Sequence, residues 1–128
     1  MSKITEKIKT FEDACSVLGI SPDEFLISYS EKLSHHSKAF VAHLKLIVIT
    51  EALNEGWKPD WSNNKWDKYY PWFRMNASSS AGRFSFSHSD NRASASLVGS
   101  RLCFKSEKLA DYAGKQFEEL YRDYHVIE

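Results

Sequence analysis

The sequence predicts an α+β domain: three N-terminal helices, a three-stranded antiparallel sheet, and a C-terminal helix packed on one sheet face. Three observations carry this reading. Apolar residues recur at helical spacing from Thr10 to Asn54 and again from Ser106 to Tyr124. Between Tyr69 and Lys105 the spacing falls to two, the period of a half-buried strand. The connections between the alternating stretches are short, so the strands run antiparallel. With 128 residues, 42% of them apolar, the chain is long enough for one domain over 1–128 with its own core, and residues 1–9 are expected to fray.

Thr10 starts the first helix, with Asp13 three residues on as in a capping box, and Gly19 ends it. Ser21 caps a second helix, with Pro22 in its first turn and Phe25, Leu26, Tyr29 and Leu33 on its inner face. A third helix spans Ser37 to Asn54, with Phe40, Val41, Leu44, Ile47, Val48 and Leu53 as its stripe and Gly56 as its stop. Ile47-Val48-Ile49-Thr50 is β-branched and would suit a strand, but the pattern around it is long and helical. Trp57 to Lys65 is rich in turn residues. Strands follow at Lys68–Met75, Arg83–Ser89 and Leu97–Lys105. Pro71 cannot donate to a ladder, so the first strand is an edge or carries a bulge. Ser106 caps the last helix, whose stripe is Leu109, Ala113, Phe117, Leu120, Tyr121 and Tyr124.

The stretches ALNEGWKPDW, KYYPWF and GSRLCFKSEKLADYAGKQFEELYRDY resemble a family of small uncharacterised bacterial proteins, a domain of unknown function common in mobile elements and phage-like gene sets. The resemblance covers residues 44–124, and TFEDACSVLGI more loosely. It implies a class and brings no catalytic residues with it.

Seventeen basic side chains balance seventeen acidic ones, so the whole molecule makes no electrostatic case for nucleic acid. The middle differs: residues 56–105 hold eight basic and three acidic side chains together with all four tryptophans. If Phe73, Phe84, Phe86, Leu102 and Phe104 face the helices, the other sheet face shows Tyr70, Trp72, Arg74, Arg83, Ser85, Ser87, Arg101 and Lys105. Rings beside cations suit a protein interface, with another chain or a second copy as partner. They also suit single-stranded nucleic acid, the alternative, where rings stack on bases and cations take phosphates. Intramolecular packing of Tyr70 and Trp72 under the tryptophan-rich loop is a third reading. The expected binding residues are therefore Tyr70, Trp72, Arg74, Arg83, Arg101 and Lys105.

Chemistry is not expected. No nucleophile elbow, phosphate loop, dinucleotide fingerprint or zinc motif occurs, so no catalytic residue, metal or cofactor is assigned. His36 and His43 share a helix face without a third ligand, and His88 with Asp90 reads as a loop hydrogen bond. Trp57, Trp61 and Trp66 pin a loop or stack on a sugar. The helix pair around Gly19-Ile20-Ser21 lacks the cations of a recognition helix. Cys15 and Cys103 read as buried thiols. The longest apolar run, Leu46–Ile49, is far short of the roughly 20 residues that span a bilayer. A cytoplasmic, non-enzymatic interaction domain is the expectation.

Overall fold

Thr10 caps its helix as its sequence implies. The Asp13 amide donates to Thr10 Oγ1 (3.1 Å), and the Thr10 amide donates back to Asp13 Oδ2 (3.2 Å). The arrangement is taken from a computed structural model that describes residues 3–25, 36–63, 65, 67–75, 84–94 and 98–127. Helix α1 is one turn (Ile4–Lys7), and α2 spans Phe11–Leu18, ending at Gly19 in the left-handed region (φ 72°). Residues 3–9 do not stand apart from the fold, against the expectation of fraying. Ile8 is fully buried, the Tyr112 hydroxyl donates to its carbonyl (2.6 Å), and Gln116 Nε2 donates to that of Lys9 (2.9 Å).

Pro22–Phe25 is a single 3-10 turn. The rest of the expected second helix lies outside the described residues. Helix α3 spans Ser37–Leu53, and the β-branched run within it is helical. Its buried residues are Ala42, Leu46, Val48, Ile49, Thr50, Ala52 and Leu53, so Val48 and Leu53 of the expected stripe are buried, while Phe40 is 47% exposed.

The sheet corrects the sequence reading. It has two strands, β1 (Lys68–Arg74) and β2 (Ser85–Arg92), paired antiparallel. Of the expected third strand over Leu97–Lys105, the described residues 98–105 keep one bridge, Phe104 with Tyr69. Gly99 has φ 75°, and Ser100–Leu102 forms a 3-10 turn, so the alternation there is not that of an extended chain. Leu102 and Phe104 still enter the core, and Cys103 between them is fully buried, in line with its reading as a buried thiol.

Phe104 is held from both sides. Tyr69 and Phe104 exchange backbone hydrogen bonds (3.0 and 2.6 Å). On the opposite edge, Asn54 Nδ2 donates to the Cys103 carbonyl (2.9 Å), and Asn54 Oδ1 accepts from the Lys105 amide (3.1 Å). One buried side-chain amide thus does what a neighbouring strand would do.

Because Tyr69 spends its backbone groups on Phe104, the alternate residues of β1 point their amides away from β2. Pro71 falls in that row, where its missing N–H costs the hairpin nothing. The free edge of β2 is blunted. The Asn91 amide donates to Asp90 Oδ1 (2.8 Å), the Asn91 carbonyl accepts from Arg92 Nη1 (2.7 Å), and the Phe86 amide donates to Glu118 Oε2 (2.7 Å). A further strand meets side chains there rather than open backbone.

The last helix is two. Helix α4 (Glu107–Gln116), capped by Ser106 through the Leu109 amide (3.2 Å), lies on the hairpin. Phe117, at φ −113°, breaks the run, and α5 (Glu118–His125) turns to pack on α3. The contact of α4 with the hairpin is close at Gly114. A Cβ there would overlap the Phe86 ring and stand 2.9 Å from Pro71 Cβ. Phe73 stacks on Phe84 (4.8 Å between centroids), and both join Phe104, Leu109, Phe117 and Tyr121 in the core.

Candidate binding surfaces

Residues opposite one another in an antiparallel pair share a face. The pairs Tyr69–Asn91, Pro71–Ser89 and Phe73–Phe86 point toward α4, as the bond from Ser89 Oγ to Asp111 Oδ1 (2.6 Å) confirms for Ser89. The pairs Lys68–Arg92, Tyr70–Asp90 and Trp72–His88 point away. A register shift at Trp72/Phe73 leaves Ser87 without an opposite partner in β1. Phe86 and His88, two apart, therefore face opposite ways.

Trp72 stands on the outer face 42% exposed, with the His88 ring 6.4 Å and the Tyr70 ring 6.2 Å away. Tyr70 is only 2% exposed, which fits the packing reading for that ring. Burial first, and the facing Asp90 carboxylate second, hold its phenol above the usual tyrosine pKa. Arg92 is spent locally, on Asp90 (3.5 Å) and on the Asn91 carbonyl. Arg74 is exposed at the far end of β1, opposite Ser85.

The other expected cations are elsewhere. Arg101 sits in the 3-10 turn before Phe104, and Lys105 pairs with Glu55 (3.4 Å) at the end of α3. Arg83 lies outside the described residues. With no third strand, nothing aligns Arg101 and Lys105 beside Trp72. Of the six expected residues, the described contacts bring together Tyr70 and Trp72 alone, with Arg74 on the same strand.

Lys68 was read only as a strand start, and it is 1% exposed. Its ammonium donates to the carbonyls of Asn63 (3.0 Å) and Ala93, and lies 5.2 Å from the centre of the Trp61 ring. Two carbonyl dipoles and a ring face replace the water that a charge needs. Trp61 in turn donates Nε1 to Ser100 Oγ (2.6 Å). Trp61 is thus a loop pin, as one of its two readings had it. No local sequence signal marks Lys68, since its acceptors are backbone carbonyls, one five residues away at Asn63 and one 25 away at Ala93.

Ser100, the acceptor of the Trp61 bond, also lines a cavity of about 710 Å³. One turn-by-turn stripe of α3 (Ile47, Thr50, Glu51, Asn54) forms one side, Trp57–Pro59 a second, and Ser100–Arg101 a third. The turn into Trp57 needs two left-handed residues, Glu55 (φ 51°) and Gly56 (φ 87°). Glu55 holds that conformation without being glycine, while its side chain pairs with Lys105.

His88 is exposed within β2, not in a loop, and its Nδ1 pairs with Ser87 Oγ (2.9 Å). His43 packs on the Tyr124 ring (4.7 Å). Among the described residues, no three His, Cys, Asp or Glu side chains stand where they would hold a metal ion. No described helix is long and apolar enough to cross a membrane. No protein-family model matches the chain, and comparison with curated proteins and with solved structures finds no similar chain.

Proposed function

We propose that the chain is a non-catalytic binding domain whose outer hairpin face meets a second copy of itself, with Trp72 as the anchor. The observation that carries this is the exposure of the Trp72 indole (42%) on a strand where its neighbours Tyr70 and Phe73 are buried. Tryptophan is the side chain that interfaces most often use as an anchor. The outer face carries one charge of each sign: Asp90 and Arg92 lie two and four residues along β2 from His88, the residue opposite Trp72, and a two-fold axis would set each against its opposite on the partner. Zero net charge offers no long-range repulsion between copies. The blunted edge of β2 favours contact through side chains rather than through a continued sheet. The cytoplasm belongs to the same proposal, supported by Cys15 and Cys103 as buried thiols.

Sedimentation velocity over a concentration series tests the reading. The expected result is a monomer–dimer equilibrium that Trp72→Ser abolishes. Asp90→Arg weakens it, and Asp90→Arg combined with Arg92→Asp restores it. A wild-type chain that stays monomeric at every concentration overturns the proposal. Single-stranded nucleic acid is supported less, because one ring is open and the cations do not surround it. Anisotropy of a labelled oligonucleotide at low salt, where phosphate contacts are strongest, reads that alternative.

A further inference from the structure

The cavity beside α3 has a chemical character of its own. Leu18, Ile47, Trp57 and Pro59 give its lining apolar groups. Exposed Lys58 and Arg101 reach its lining from two different segments, with Glu51 as the one acid of the described lining. Its volume lies in the range of small-molecule sites, about 300–1,000 Å³.

Two ties fix the segments next to its lining before any ligand arrives. The Trp61–Ser100 bond ties the tryptophan loop to the 3-10 turn. The Lys68 ammonium ties that loop, at Asn63, to the chain leaving β2, at Ala93. A buried charge is a costly way to fix two loops, and walls fixed in advance lower the entropy lost on binding.

The geometry points to a site for a small aromatic monoanion, a carboxylate or sulfonate on a flat ring system. The ring lies along Trp57 and Pro59, and the anionic group takes Lys58 and Arg101. Glu51 disfavours a second negative charge. The site is separate from the Trp72 face, and neither reading depends on the other.

The test uses the full-length chain and 8-anilinonaphthalene-1-sulfonate, followed by its fluorescence and by energy transfer from tryptophan. Saturable binding is expected. Arg101→Glu and Lys58→Glu should each weaken it by about tenfold, the scale of one lost charge-assisted contact. Both side chains are exposed, and circular dichroism verifies that the variants fold. Neutral N-phenyl-1-naphthylamine should bind about tenfold more weakly than the sulfonate. Trp72→Ser should leave the affinity unchanged. Absence of saturable binding, wild-type affinity in both charge-reversed variants, equal affinity for the neutral probe, or loss in Trp72→Ser overturns the assignment.

Discussion

Lys68 and Trp72 stand four residues apart on one face of β1, and their burial reverses their chemistry: the ammonium is 1% exposed and the indole 42%. The strand is the same and so is the face, so the difference comes from what lies over each end. Over Lys68 the chain supplies the carbonyls of Asn63 and Ala93 and the ring of Trp61. Over Trp72 the only described ring neighbours are Tyr70 and His88, at the side. Polarity does not decide burial here; the availability of acceptors does. A charge with carbonyls around it can be enclosed, while a ring with no cover remains a contact surface.

The contrast gains force if the opposite face is closed, and Gly114 tests that first. Gly114→Ala forces the Phe86 ring and Pro71 apart, and we expect a loss of about 3 kcal/mol of stability in urea unfolding. A neutral result would mean that α4 does not seal the inner face. Lys68→Met keeps the length of the side chain and leaves two carbonyls without their donor. The expected loss is about 2 kcal/mol. A variant as stable as the wild type would show that the enclosure does not need the charge.

A pH series separates burial from contact. Burial pushes the Cys103 thiol up to about 11 from 9.0. The unfolded chain then loses its proton first, so this contribution is intact below pH 9 and is lost as pH rises to 11. Urea midpoints across that window should fall, and less steeply in Cys103→Ala. The Tyr70 phenol, raised in the same sense, carries the decline to higher pH. The smallest stability effect belongs to Trp72→Ser, within about 0.5 kcal/mol, as expected of a side chain that covers little of its own fold.

Local features were legible in the sequence. The Thr10–Asp13 box, the Gly19 stop, the Ser106 cap and the turn of composition at Trp57 all follow from neighbours within a few residues. So does the inward placement of Phe73, Phe84 and Phe104. What escaped depends on groups far apart along the chain. The third strand failed at the left-handed Gly99 and the 3-10 turn after it, and Asn54, 49 and 51 residues from its partners, pairs the far edge with a side chain instead of a strand. The bulge beyond Trp72 changes which residues of β2 face outward, and period-two counting cannot see it. Hence Tyr70 and Trp72 share a face as expected, while Arg101 and Lys105 were assigned to a strand that does not form.

The two hydrogen bonds of Asn54 also bear on how the chain reaches this state. They join the end of α3 to a segment that lies beyond the whole hairpin, so they close only after both are in place. Loop closure of about fifty residues costs more entropy than a local turn, and the gain arrives only on docking. The helices and the hairpin can form early from their own neighbours, whereas Phe104 seats late, guided by one amide. Its arrival is the step that commits the two halves to each other, and the refolding rate of Asn54→Ala would report whether that commitment precedes or follows the barrier.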